Sequence, residues 1–195
     1  PARPAPAEAE PDGSHEAGGL PDTQMAMTHG DLHGGNLFVD ARGEIWVIDY
    51  ERTGFGPILQ DWAELETDIL TNLAKVDAGD WLDYRRLLVH VLEPTRIPLA
   101  ANDKDFGSFD KEWRVISKLR ALAAEDAGAT EGLPYVWGLL LNALFRLALL
   151  LKEYEELRAW LSGQEKDLAE AQKQVEHAIE RSLMLSGMIC HRLDV

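Results

Sequence analysis

The feature that most constrains this chain is a change of hydrophobic period near residue 57. Before it, Leu37-Phe38-Val39 and Ile45-Trp46-Val47-Ile48 are short runs of β-branched and aromatic residues. Asp40-Ala41-Arg42-Gly43 separates them with turn chemistry that ends in Gly, which predicts a β-hairpin. A polar, Gly-rich stretch, His29-Gly30-Asp31-Leu32-His33-Gly34-Gly35-Asn36, leads into it. After Gly54-Phe55-Gly56-Pro57 the apolar residues follow the helical period instead. Asp61 is expected to cap a helix beginning at Trp62, with Glu64 completing a capping box. Leu65, Ile69, Leu73 and Val76 then recur at helical spacing. Further helices are expected near 79–93, 109–126, 134–161 and 165–192, with a loop over 94–108. The predicted class is α+β and mostly helical: a polar loop, a short hairpin, then about five helices.

Residues 1–24 contain five acidic residues and one Arg among Pro, Ala and Gly, and are expected to form a disordered linker or tail. Residues 25–195 are expected to form one domain, with 46% hydrophobic residues to build its core. A net charge of −15 argues against a nucleic-acid-binding surface and against anionic lipid. Leu133 to Leu151 is long enough to span a bilayer, but Asn142 and Arg146 interrupt it. It is expected to be a core helix buried on most sides, with no membrane partner. The lone Cys190 excludes an internal disulfide and fits a reducing, cytoplasmic setting. The six Trp are expected to be core or half-buried anchors.

The polar loop and the hairpin together carry the chemistry. Phosphoryl transfer needs a carboxylate to orient and deprotonate a hydroxyl, and oxygen ligands for Mg²⁺. Asp31 and Asn36 lie in one loop, and Asp49 ends the second strand of the hairpin, which returns it toward that loop. Two other readings use the same residues. Gly30-Asp31-Leu32-His33-Gly34 matches a Gly-Asp-x-His-Gly metallophosphoesterase motif, but its companion motifs are absent. His29, Asp31 and His33 alternate as transition-metal ligands can, yet that reading leaves Asn36 and Asp49 unexplained. Glu64, Glu66 and Asp68 are expected to form a solvated acidic face.

At these residues the sequence resembles the aminoglycoside phosphotransferase and choline kinase family, which shares the protein-kinase-like fold. The interval from Asp31 to Asn36 matches the kinase catalytic loop, with His-Gly-Asp where protein kinases have His-Arg-Asp. Asp49 falls at the family's second metal-binding Asp, and Asp61-Trp62-Ala63 resembles its Asp-Leu-Ala helix start. The resemblance implies a kinase-like C-terminal lobe, with Asp31 as catalytic base. It implies that Asn36 and Asp49 hold Mg²⁺ and the phosphates of ATP, and that His33 approaches the γ-phosphate. His29 and Asp61 would support the loop structurally. The partners implied are a nucleotide and a small-molecule hydroxyl acceptor. Residues 1–24 contain neither a phosphate-covering loop nor a Lys, so an N-lobe or upstream domain is expected to be missing and this portion to be inactive alone. The alternative expectation is a kinase-like binding or regulatory module without phosphotransfer activity.

Overall fold

The computed structural model describes residues 24–92, 95–99, 105–160 and 167–194. The elements are β1 (Met25–Thr28), β2 (Leu37–Val39), β3 (Ile45–Val47), β4 (Gly54–Pro57), α1 (Gln60–Asp68), α2 (Trp81–Leu92), α3 (Asp110–Ala127), α4 (Leu133–Trp160) and α5 (Asp167–Leu193). The expected hairpin is present, with Leu37 opposite Val47, Phe38 opposite Trp46 and Val39 opposite Ile45. The Gly43 amide donates to the Asp40 carbonyl, and the Asp40 carboxylate takes the amides of Arg42 and Glu44, so the turn closes on its own side chain.

A second antiparallel pair was not expected from the sequence. β1 and β4 pair with Met27 opposite Phe55 and Ala26 opposite Gly56. Four residues with two glycines carry little strand propensity, so local pattern gives no sign of this ribbon. It brackets the loop and hairpin, bringing both ends of the 29–53 segment to one place. Gln24 is already tied in, its carbonyl accepting from the Ile58 amide 2.9 Å away. The rest of the expected tail, residues 1–23, lies outside the described residues.

All five expected helices form, and three local expectations fail. α1 begins at Gln60 with Leu59 at its N-cap, and no side chain caps it. The Asp61 carboxylate is taken by backbone amides of the polar loop, so it cannot turn back on its own helix. Glu64 likewise bonds the loop rather than closing a capping box. At Ile69–Leu73 the helix widens by one residue per turn, the Ala74 amide reaching the Ile69 carbonyl at 2.9 Å. The extra residue rotates the helix face, leaving Leu73 exposed while Ile69 and Val76 stay buried.

The core lies between the helices. Leu70, Tyr84, Leu87, Leu88, Ile116, Leu139 and Leu185 are fully buried in it, and the free Cys190 packs at its margin. The expected acidic face of α1 is not solvated. Glu66 and Arg120 are 0% and 1% exposed and form a bidentate pair at 2.7 and 2.8 Å. Tyr135 donates its hydroxyl to the same carboxylate at 2.7 Å, and the guanidinium lies over its ring. One carboxylate thus joins α1, α3 and α4. Burial and the adjacent carboxylate push the Tyr135 hydroxyl far above its ordinary range, which keeps it a donor.

α4 is the other correction. Leu139, Leu140, Ala143 and Leu150 are buried, but Leu141, Leu144, Phe145, Leu149 and Leu151 are exposed. By length and composition the helix is apolar enough to cross a membrane. Here it packs on α1 and α5 along one side and is open along the other. Trp46 is also exposed, whereas Trp113 is buried.

Removing one partner of the buried ion pair strands the other without water. Glu66→Leu is expected to lower unfolding free energy by about 3–5 kcal/mol in urea titrations, with Arg120→Met on top recovering most of the loss. A double variant no more stable than the single one would remove the stranded charge as the cause.

Candidate functional site

The 29–36 loop has few backbone partners of its own, and its amides are satisfied from α1. The Asp61 carboxylate accepts from the amides of His29 at 2.7 Å and Gly30 at 2.9 Å. Glu64 accepts from the Leu32 amide at 3.1 Å, and Asp68 from the Gly34 amide at 2.8 Å. Positions 61, 64 and 68 share one helical face, so the three carboxylates form a rail along which the loop is pinned. Hydrogen bonds to charged acceptors are the strong ones, and here they set the loop's backbone path.

The loop is locked to the hairpin as well. His29 Nε2 lies 2.8 Å from the Ile48 carbonyl oxygen, and its ring packs against Tyr50 at 5.1 Å. A carbonyl only accepts, so Nε2 carries the proton; the buried Nδ1 then has no partner. The Ile48 amide donates to the Asn36 carbonyl at 3.0 Å. Gly30 has φ 79°, and a Cβ there would come within 2.5 Å of the Arg52 carbonyl oxygen, so only Gly permits this approach.

Asp31, His33 and Arg52 line a cavity of about 190 Å³ together with Glu64, Thr67 and Asp68 of α1. Its far wall is α4, through Asn142, Phe145, Arg146 and Leu149. Asp31 Oδ1 is 3.5 Å from the Arg52 guanidinium, and Arg146 pairs with Asp68 at 2.7 Å. The buried Asn36 amide nitrogen donates to the Asp31 carbonyl at 2.9 Å, and its side-chain oxygen makes no hydrogen bond among the described residues. Asp49 is exposed, immediately follows the carbonyl that His29 holds, and has a left-handed backbone with φ 63°. For a non-Gly residue that conformation is strained, as side chains at functional positions often are. Asn36 and Asp49 are not among the residues lining the cavity.

Asn36 and Asp49 offer hard oxygen atoms of the kind Mg²⁺ takes with water and phosphate oxygens. Among the described residues there is no cluster of three or more His, Cys, Asp or Glu suited to a metal. His33 turns its Nδ1 to the Gly35 amide and His29 turns to Ile48, so the His-x-Asp-x-His alternation does not converge.

Sequence reasoning missed Arg52, Glu64, Asp68 and Arg146. One signal was present: Asn142 and Arg146 are the two polar interruptions of the apolar 133–151 run, four residues apart, and both face the cavity. Burial raises the Glu64 carboxyl above its ordinary 4.5, with the Leu32 amide opposing and Asp31 and Asp61 adding to the shift.

The fold is a mostly helical α+β domain with two small antiparallel sheets, in which Asp31 of the loop and residues of α4 line one cavity. Residues 10–149 match the family described as ternary complex associated domain 9, and the chain belongs to that family. No curated protein and no solved structure matches it.

Asp61→Ala leaves two loop amides unpaired, and hydrogen exchange at His29 and Gly30 is expected to accelerate while α5 amides keep their protection. Unchanged exchange would remove Asp61 from this role. Glu64 supplies a pH test. The native state holds its proton to higher pH than the unfolded chain, so unfolding free energy falls as pH rises from about 4.5 through the raised value. Glu64→Gln removes that titration and is expected to flatten the stability curve over this range; equal slopes would mean Glu64 is solvated.

Proposed function

We propose that this domain is the catalytic-loop half of an ATP- and Mg²⁺-dependent phosphotransferase that phosphorylates a hydroxyl of a small molecule. The observation that carries the reading is Asp31 at the cavity wall, on a loop whose backbone three α1 carboxylates pin. A base that must meet a substrate hydroxyl within hydrogen-bond reach needs such a fixed backbone. Asp31 accepts the acceptor's proton, and Arg52 beside it keeps the carboxylate facing the cavity. Asn36 and Asp49 are the residues that would hold Mg²⁺, which when bound supplies charge neutralisation for the phosphates. His33 stands at the rim as a further hydrogen-bonding group for phosphate. His29 and Asp61 are positioning residues that act on the loop and on Ile48. The resemblance to aminoglycoside phosphotransferases and choline kinases supports the same assignment.

The second reading is a binding or regulatory module in a larger assembly. The family's description, with its words "ternary complex associated", and the exposed apolar side chains of Met27, Phe38, Trp46 and Phe55 favour it. Phosphate transfer from Mg²⁺-ATP by the full-length protein separates the two. Asp31→Asn keeps size and hydrogen bonding but removes the base, and is expected to reduce turnover by about 10²–10⁴-fold. Equal rates for the two proteins would dismiss Asp31 as the base.

A further inference from the structure

Along the open side of α4, Leu133, Trp137, Leu141, Phe145 and Leu149 follow one another at intervals of four residues. Each is between 38% and 64% exposed, and Leu144 beside them is 45% exposed. Side chains four apart stack into a single ridge on a helix, here roughly 24 Å long. No structural need explains it: the opposite face of α4, through Leu139, Ala143 and Leu150, already supplies this helix's share of the cores. Ridges of this kind seat in the groove between the corresponding ridges of another helix.

The charges at one end identify what kind of helix fits. Phe145 and Leu149 are also cavity-lining residues, so the ridge runs into the site that holds Asp31 and Glu64. Both arginines there are already engaged, Arg146 with Asp68 and Arg52 with Asp31. Glu64 accepts from the Leu32 amide with one oxygen, and its other oxygen makes no hydrogen bond among the described residues. The chain as a whole carries a net charge of −15, which opposes a second copy and an anionic bilayer alike.

We infer that the α4 ridge docks an amphipathic helix of a partner protein, its leucine-type side chains seated on Trp137, Leu141 and Phe145 and a Lys or Arg reaching Glu64 on the cavity wall. Helix-in-groove recognition of this kind takes its affinity from apolar anchors and its selectivity from flanking charge. The surface stands independently of whether Asp31 performs catalysis.

The test uses the full-length protein and two labelled synthetic helices of about 18 residues, long enough to span the ridge. Both carry leucines at i, i+4, i+7 and i+11; one is flanked by lysines, the other by glutamates. Fluorescence anisotropy is expected to show binding of the lysine helix alone. The affinity is expected to fall about tenfold or more for Leu141→Gln with Phe145→Gln, as for loss of central anchors. Leu122→Gln, an exposed leucine on α3, should leave it unchanged. Glu64→Gln should weaken the lysine helix and leave the glutamate helix unbound. These ridge positions are exposed, so the variants should fold, which circular dichroism checks; the single Leu141→Gln provides a milder version. Equal binding of the two helices overturns the charge assignment, and equal binding by the ridge variants overturns the surface. A dimer in sedimentation that Phe145→Gln dissolves would assign the ridge to a second copy and overturn the proposal. Adsorption to phosphatidylcholine vesicles that the same change abolishes would overturn it in favour of a membrane.

Discussion

Four backbone amides of the 29–34 segment have no strand or helix to bond to, and a loop in that condition does not hold one path. Asp61, Glu64 and Asp68 on one face of α1 satisfy all four. The placement of Asp31 and His33 at the cavity, and the approach of the loop to Ile48 and Arg52, follow from that rail. It also fixes what α1 itself can do: a helix whose first-turn carboxylate is committed elsewhere begins without a side-chain cap.

The rail is only as rigid as α1, and α1 is held from behind. Its fourth acid, Glu66, points away from the loop into the core, where Arg120 and Tyr135 close on it. Acids at adjacent turns therefore do two jobs: those on one face hold the loop, and the one between them fastens the helix to α3 and α4. Asp68 bridges these roles, accepting from the Gly34 amide with one oxygen and from Arg146 of α4 with the other. Whatever occupies the cavity against Arg146 is thereby two hydrogen bonds from the loop.

Apolar surface is distributed unevenly around this frame. The helical core is closed, while the ribbon, the hairpin and one side of α4 leave large hydrophobic side chains in water. Two-stranded sheets are marginal by themselves, and the β2–β3 pair is tied to the loop through Asn36, Ile48 and His29. These exposed faces are the surfaces on which the proposed partner contact rests.

Much of the fold was legible because period and punctuation are local. The hairpin follows from Asp40-Ala41-Arg42-Gly43 between apolar runs, and the helices follow from 3.6-residue periodicity interrupted by the 94–108 loop. Of the loop residues singled out in the sequence, Asp31 and His33 line the cavity, while Asn36 and Asp49 do not. What the one-dimensional pattern could not decide was the partner of each charge. Glu64, Glu66 and Asp68 look like a solvated face because a helical wheel shows only their directions. Whether they meet water, a loop amide, Arg120 or Arg146 depends on residues up to 78 positions away. The same limit hid the ribbon, whose strands are joined by cross-strand bonds rather than by propensity, and the open side of α4. Sequence by itself determined the hairpin and the helices. Tertiary structure alone decided which apolar faces found a neighbour and which carboxylates found a donor, since both depend on distances between segments that no local period encodes.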